Sequence, residues 1–216
     1  MDSIWALVSD IHGNLPALER ALEHARTEGS ARVAFLGDVL GGAQDEACCR
    51  LLMREAEIGV FGNREVRARL PFAEDVQAWL HSLTATARLD GLLLCHSSPA
   101  SLFPPDISAY DAVAYKRGRS YFDLFPYISS KPSVHTAARS QQEGMRAVVH
   151  GHTHRQVIWR VEDGVPERLR EREVSLGEGV LVAGLGSVGE GERGRVEYGL
   201  YLREERRLRL VSLNGE

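Results

Sequence analysis

Five short apolar runs in this chain end in chemistry-bearing residues, and those endings constrain it more than any other feature. Residues 3–9 (SIWALVS) run into Asp10-Ile11-His12-Gly13-Asn14, residues 32–36 (RVAFL) into Gly37-Asp38, and residues 58–61 into Gly62-Asn63. Residues 147–149 run into His150-Gly151-His152-Thr153-His154, and residues 92–95 (LLLC) into His96 without a glycine. Apolar runs of this length read as buried strands. Ligands of open α/β sheets collect outside the carboxyl ends of strands, so residues far apart in sequence can meet in one crevice. In an extended segment residues i and i+2 point the same way, so Asp10 with His12, and His152 with His154, are each expected to face one ion. The glycines keep side-chain bulk away where backbone must turn close to a ligand.

Helical spacing separates the early strands. Leu15, Leu18, Ala21, Leu22 and Ala25 recur on one face, with Pro16 in the first turn and Gly29 as a stop. Residues 47–53 and 73–83 read as two further helices. This alternation predicts right-handed crossovers and a largely parallel sheet in the first half. Residues 97–134 show no period and hold five of the eight prolines and seven of the twelve Tyr and Phe. A helix is expected at 135–144, then strands at 157–161, 165–174, 179–183, 195–202 and 208–213, the last two joined around Glu204-Glu205-Arg206. With 216 residues, 44% of them hydrophobic, the chain suffices for one sizeable core. The expectation is an α/β fold of two sheets in a single domain over 1–216, with 101–134 as an irregular insertion.

A formal net charge of −4 argues against broad nucleic-acid binding. No apolar run approaches the ~18–20 residues that cross a bilayer, so no membrane partner is expected. The start, Met1-Asp2-Ser3, lacks the positive stretch of a signal peptide. Three cysteines, two of them adjacent (Cys48, Cys49), make a poor disulfide framework, which fits a reducing cytoplasm.

DIHGN (10–14), GD (37–38), GNRE (62–65), His96-Ser97-Ser98-Pro99 and GHTH (151–154), with GSVG at 186–189, resemble the motif set of the calcineurin-like metallophosphoesterase superfamily. The chain looks most similar to its small prokaryotic branch of phosphodiesterases and diadenosine-tetraphosphatase-like proteins. The resemblance implies a four-layer αββα sandwich of two mixed sheets with a dinuclear site between them. By motif match, Asp10, His12, Asp38 and His154 would hold one metal, while Asp38 (bridging), Asn63, His96 and His152 would hold the other. His150 lies just outside the motif and is expected to be structural. Mixed carboxylate and imidazole donors suit transition metals such as Mn, with Fe, Zn, Co or Ni as alternatives, over Mg or Ca. Two such ions ~3.5–4 Å apart can clamp the attacking and leaving oxygens of a phosphoryl group. The implied reaction is in-line attack of a metal-bound hydroxide on a phosphodiester or nucleotide phosphoanhydride.

One position departs from the family pattern. The superfamily motif reads GNH followed by an acid, and its His is assigned as general acid; here Arg64 takes that place. A guanidinium stays protonated and holds phosphate oxygens instead of donating a proton. Asp38, Asn63 and Arg64 are therefore the expected catalytic group, acting on small phosphate esters, nucleotides among them, whose leaving group needs little protonation. The bland reading of Arg64 is an ion pair with Glu65 or plain exposure to solvent. Segment 101–134 carries Tyr110, Tyr115, Tyr121, Phe122, Phe125 and Tyr127 with Lys116, Arg117 and Arg119, which reads either as a base-stacking surface with cations for a second phosphate or as a packed excursion making a homo-oligomer contact. The alternative to an enzyme is a metal-binding scaffold with little turnover. A protein phosphatase fits less well, because no groove-forming extra domain is evident.

Overall fold

A computed structural model describes residues 4–67, 71–140 and 144–214. Ser3, at the start of the first expected strand, and residues 141–143 of the expected 135–144 helix lie outside the described residues. Two six-stranded mixed sheets face each other. The first has the order β3 (Ala56–Val60), β2 (Arg32–Leu36), β1 (Ile4–Val8), β11 (Val196–Leu202), β12 (Arg207–Leu213), β9 (Glu173–Ser175). The second runs β4 (Thr86–Leu89), β5 (Leu92–Cys95), β6 (Ala147–His150), β10 (Val180–Leu185), β7 (Gln156–Glu162), β8 (Val165–Leu169).

The period-2 pattern of the strands builds the layers. In β1, Trp5 and Leu7 point between the sheets with Leu36, Leu94, Val149 and Leu185. Ala6 and Val8 point outward against α1 (Leu15–Thr27) and α2 (Asp45–Glu55), through Leu18, Leu22, Cys48 and Leu52. On the far side, Val148 and Val182 pack on Val134, Ala137 and Ala138 of α6 (Lys131–Arg139). Helices on both outer faces complete the expected αββα sandwich, and burial on both faces explains the near-continuous apolar runs of β1 and β6.

Among the described strands, parallel pairs are β1–β2–β3 and β5–β6–β10 and the others are antiparallel, with one isolated parallel bridge from Val60 to Thr84. The alternation of the first half is thus split between two sheets instead of building one. The expected strand at 165–174 is two strands: β8 pairs with β7, while β9 crosses to the other sheet and pairs with β12. Charged residues at 170–172 give that run no apolar face at the crossing, so one hydrophobic period cannot span it. Thr86–Leu89 forms β4, an antiparallel edge strand that the sequence reading passed over. Segment 101–134 is not structureless: α4 (Ala109–Tyr115) and α5 (Tyr121–Leu124) lie in it, and α6 begins at Lys131, ahead of the expected start. Pro132 sits in the first turn of α6, and Ser133 Oγ accepts from the Ser130 N–H at 3.0 Å. Asn14, read as part of a strand-end motif, caps α1 by accepting the Ala17 N–H at 3.2 Å.

Candidate metal centre

The carboxyl ends of β1, β2, β3, β5 and β6 point to one edge of the sandwich, and backbone bonds lace their loops together. The Asp10 N–H donates to Gly37 O at 2.9 Å, Ile11 N–H to Asp38 O at 2.9 Å, and Gly151 N–H to His96 O at 3.0 Å. The loop after β10 closes the weave: Gly189 N–H donates to Asp10 O at 3.0 Å and Ser187 Oγ to the same carbonyl at 2.7 Å.

Asp10, His12, Asp38, His152 and His154 all have φ between 50° and 63°, and they are five of the nine non-glycine positive-φ residues among those described. Such conformations cost free energy at each site and collect where function demands a particular side-chain direction. They also replace the extended geometry expected from the i, i+2 spacing. His12 Nε2 lies 3.8 Å from Asp10 Oδ1, so that pair does share a side. His152 and His154 do not: His154 stands beside His12, ring centroids 5.0 Å apart, whereas His152 stands beside His96, centroids 4.9 Å apart.

Two donor groups result. Asp10, His12 and His154 form one, with Asp10 Oδ1 3.2 Å from His154 Nε2 and the two imidazole Nε2 atoms 3.1 Å apart. Asp10, Asp38 and His96 form the other, with His96 Nε2 3.6 Å from Asp38 Oδ2 and 3.3 Å from Asn63 Oδ1. Within each group, the ligand atoms lie within 4.8 Å of one another. The carboxylate common to both groups is Asp10. His12 and His96 anchor Nδ1 on the carbonyls of Leu40 and Leu36 (3.3 and 2.9 Å), which leaves Nε2 facing the crevice. His154 Nδ1 lies 3.5 Å from the exposed carboxylate of Glu190, a residue that sequence reading missed.

Charge and burial suit cations here. Asp10 Oδ2 accepts from Ser9 Oγ (2.6 Å) and the His152 N–H (2.9 Å), while buried Oδ1 faces the Nε2 atoms of His154 (3.2 Å) and His12 (3.8 Å); His152 Nε2 is buried without a hydrogen-bond partner. Burial opposes ionisation of Asp10, but the charges of His96 and His154 and hydrogen bonds from His12 and His154 outweigh it and hold the carboxyl well below its ordinary range. Burial, then the charge of Asp10, moves Asp38 the other way. Burial and the His96 charge lower His152 to about 3, and burial lowers His150 to about 4, so both are neutral imidazoles at ordinary pH. An ionised carboxylate beside the unpartnered neutral Nε2 of His152 and the crevice-facing Nε2 atoms of His12 and His96 is a donor set for a divalent cation. Seven residues named from sequence as metal-capable, Asp10, His12, Asp38, Asn63, His96, His152 and His154, meet in this crevice. His150 points away: its Nδ1 bonds the carbonyl of Gly151 at 2.9 Å and its ring packs by Gly184.

Glu65 turns inward and makes no pair with Arg64. Its fully buried carboxylate accepts the N–H groups of Gly62 (2.6 Å), Asp38 (2.8 Å), Val39 (3.0 Å) and Leu40 (3.4 Å), clasping the β2 and β3 loops together. Burial and the nearby charge of Asp38 push it up to about 7, against the pull of those N–H groups. The only trace of this role in the sequence is the acid that closes GNRE. The Arg64 backbone N–H donates to Asp38 Oδ1 at 2.9 Å, and its Nε lies 3.9 Å from Asp38 Oδ2 with 43% of the side chain exposed.

Of the cations expected in the 101–134 segment, Lys116 donates to Val66 O at 2.6 Å and Arg119 stacks on Tyr115 at 4.0 Å, so both are engaged locally. Gly151 is required sterically: a Cβ there would collide with Ser9 Oγ and Asp10 Oδ2. Gly151→Ala is therefore expected to cost about 1–3 kcal/mol of stability. Displacement of Asp10 is expected to weaken metal binding about tenfold or more; thermal unfolding reads the first effect and metal titration the second.

Comparison with known proteins bears on the fold and the family. A solved metallophosphoesterase from Sphaerobacter thermophilus superposes with TM-score 0.79 at 20% identity, covering 100% of this chain and 90% of that one. A solved archaeal phosphodiesterase superposes with TM-score 0.56 at 16% identity, covering 97% of this chain and 99% of that one. An uncharacterized protein of Methanocaldococcus jannaschii is 36% identical over 64 residues, which span 29% of this chain and 26% of that protein. The model of the calcineurin-like phosphoesterase superfamily domain matches residues 4–205, and the chain, with its crevice of carboxylates and imidazoles at the strand ends, belongs to that superfamily.

Proposed function

We propose that this protein is a binuclear metal-dependent phosphoesterase that hydrolyses phosphodiesters or nucleotide phosphoanhydrides. The observation that carries the proposal is the pair of donor groups joined through Asp10 at the sheet edge, one ending in His12 and His154 and the other in Asp38 and His96. In this reading Asp10, His12, Asp38 and His154 hold one ion, and Asp38, Asn63, His96 and His152 the other, with Mn favoured. Bound there, two divalent ions would supply Lewis acidity and a nucleophile generated from water at neutral pH.

The chain's own residues do the rest. Ser9 and the His152 N–H hold Asp10 Oδ2, so that Oδ1 faces the centre. In hydrolysis a water oxygen bonds to phosphorus, the bond from phosphorus to the leaving oxygen breaks, and that oxygen keeps the electron pair until solvent protonates it. Arg64, with a buried unpartnered Nε at the rim, holds phosphoryl oxygens and supplies no proton. Good leaving groups are favoured for that reason. Arg64 in place of a proton donor also supports a second reading, a metal-binding scaffold with little turnover. Three free, buried cysteines fit a reducing compartment such as the cytoplasm.

Hydrolysis of bis(p-nitrophenyl) phosphate with added Mn²⁺, reversed by chelation, separates the two readings. A flat trace with Mn²⁺, Ni²⁺, Co²⁺ and Zn²⁺ alike would leave the scaffold. In the active case Arg64→Ala is expected to lower kcat/KM by about tenfold to a hundredfold through lost charge-assisted contacts. Arg64→His should recover activity on an alkyl monoester, whose leaving oxygen needs a proton, and do little for the aryl diester. Equal effects of both substitutions on both substrates would leave Arg64 as a structural residue only.

A further inference from the structure

Beside the candidate centre a groove opens that none of the expected cations of the 101–134 segment reaches. Tyr127, 45% exposed, lies flat on His152, ring centroids 4.3 Å apart and planes 22° apart, so the outer wall of the metal crevice is also the start of the groove. From there a cavity of about 310 Å³ continues along β7, lined by Tyr127, Thr153, Arg155, Gln156, Trp159 and Arg168. That volume lies in the range of pockets that enclose small ligands, ~300–1,000 Å³. Trp159 and Arg168 are register partners on β7 and β8 and stand side by side on one face. A second cleft of about 500 Å³ shares Gln156, Val157 and Arg168 with the first and adds Arg170 and Arg172.

Some surface arginines are neutralised locally and others are left to solvent. Arg26, Arg32, Arg50, Arg203, Arg207 and Arg209 all lie against carboxylates at 2.5–3.1 Å. Among the described residues, Arg155 and Arg168 are two of the arginines that lie against no carboxylate, and both line this groove. Both are exposed and line the same cavity as Tyr127 and half-buried Trp159, the first directly following His154. Guanidinium forks hold phosphate bidentately, and exposed Tyr and Trp faces stack planar bases.

We propose that this groove is the subsite for the part of the substrate beyond the scissile phosphorus. An aromatic base would lie on Tyr127 and Trp159, with a second phosphate between Arg155 and Arg168. The proposal rests on the phosphoesterase reading and narrows its substrate class to nucleoside di- or polyphosphate esters. The chain of contacts is continuous: the scissile group sits at His152, the ring against Tyr127, and the second anion one residue beyond His154.

The test is binding, so that it fails independently of catalysis. Adenosine 5′-diphosphate, inorganic pyrophosphate and adenosine are titrated into the full-length protein with and without Mn²⁺, following tryptophan emission and heat. Adenosine diphosphate is expected to bind more tightly than either fragment and to quench emission in the wild type. Trp159→Phe, which keeps an aromatic side chain in place, should abolish the quench. Arg168→Ala and Arg155→Ala should each weaken binding about tenfold or more, while Arg54→Ala on α2, outside the groove, should not. Pyrophosphate binding as tightly as the nucleotide, a quench that persists in Trp159→Phe, or unchanged affinity in Arg168→Ala would each overturn the proposal. Absence of bis(p-nitrophenyl) phosphate hydrolysis alongside intact nucleotide binding would sink the phosphoesterase reading and leave the groove as a nucleotide site.

Discussion

Asp38→Asn is expected to cut bound metal to one equivalent or none and to lower kcat/KM by about 10³-fold or more, ~4 kcal/mol of transition-state stabilisation. The substitution is nearly isosteric. The Arg64 N–H, which donates to Asp38 Oδ1 at 2.9 Å, still has an oxygen to meet, so the fold should survive. What disappears is a buried negative charge beside His96 and the capacity of one side chain to serve two ions. Metal analysis of the purified variant, beside His154→Ala, which should keep one equivalent, reads the outcome directly. Two equivalents and near-normal turnover in Asp38→Asn would move the bridging role to Asp10, the carboxylate that the donor geometry already places in both groups.

Glu65→Gln carries the second large effect, on stability. The carboxylate accepts four backbone N–H groups with no solvent in reach. In the amide one acceptor oxygen becomes an NH₂ group, which must face the N–H groups of either Asp38 and Gly62 or Val39 and Leu40. Donor against donor in a buried site is a loss of about 3–5 kcal/mol, comparable to breaking a buried charged pair. For a chain of this size each kcal/mol is ~2–4 °C, so Tm should fall by about 10 °C or more. Because the clasp holds Asp38 and the Gly62-Asn63 turn, metal binding should weaken with it, measured as a rise in the metal concentration needed for half-maximal activity. A variant with unchanged Tm and unchanged metal requirement would show that the loops are held by their own backbone bonds.

The two variants differ in what they probe. Asp38 acts at the centre, whereas Glu65 touches none of the donor atoms and acts by holding the residues that carry them. The two side chains are adjacent in sequence, but Glu65 points into the loops while Arg64 lies partly exposed at the rim, 3.9 Å from Asp38 Oδ2. Nothing in the string GNRE distinguishes that from an ordinary neighbouring ion pair, because the choice depends on N–H groups contributed by residues 38–40.

What the sequence determined by itself is local. Short apolar runs set the strands of both sheets, the helical spacing of Leu15 to Ala25 set α1, and the endings of five strands named the seven residues that share the crevice. These are legible because period and turn chemistry act over a few residues of backbone. Only the tertiary structure decided the rest. It split the early strands between two sheets, broke 165–174 into β8 and β9, and turned His152 and His154 apart where the i, i+2 spacing would have set them side by side. It buried Glu65 between the β2 and β3 loops and left Arg155 and Arg168 exposed in the groove with Tyr127 and Trp159. Each of these outcomes depends on groups from distant segments competing for the same space and the same hydrogen bonds, with left-handed backbone at five strand-end residues turning the side chains where an extended chain would not. A one-dimensional pattern carries no term for that competition, which is settled when the two sheets pack.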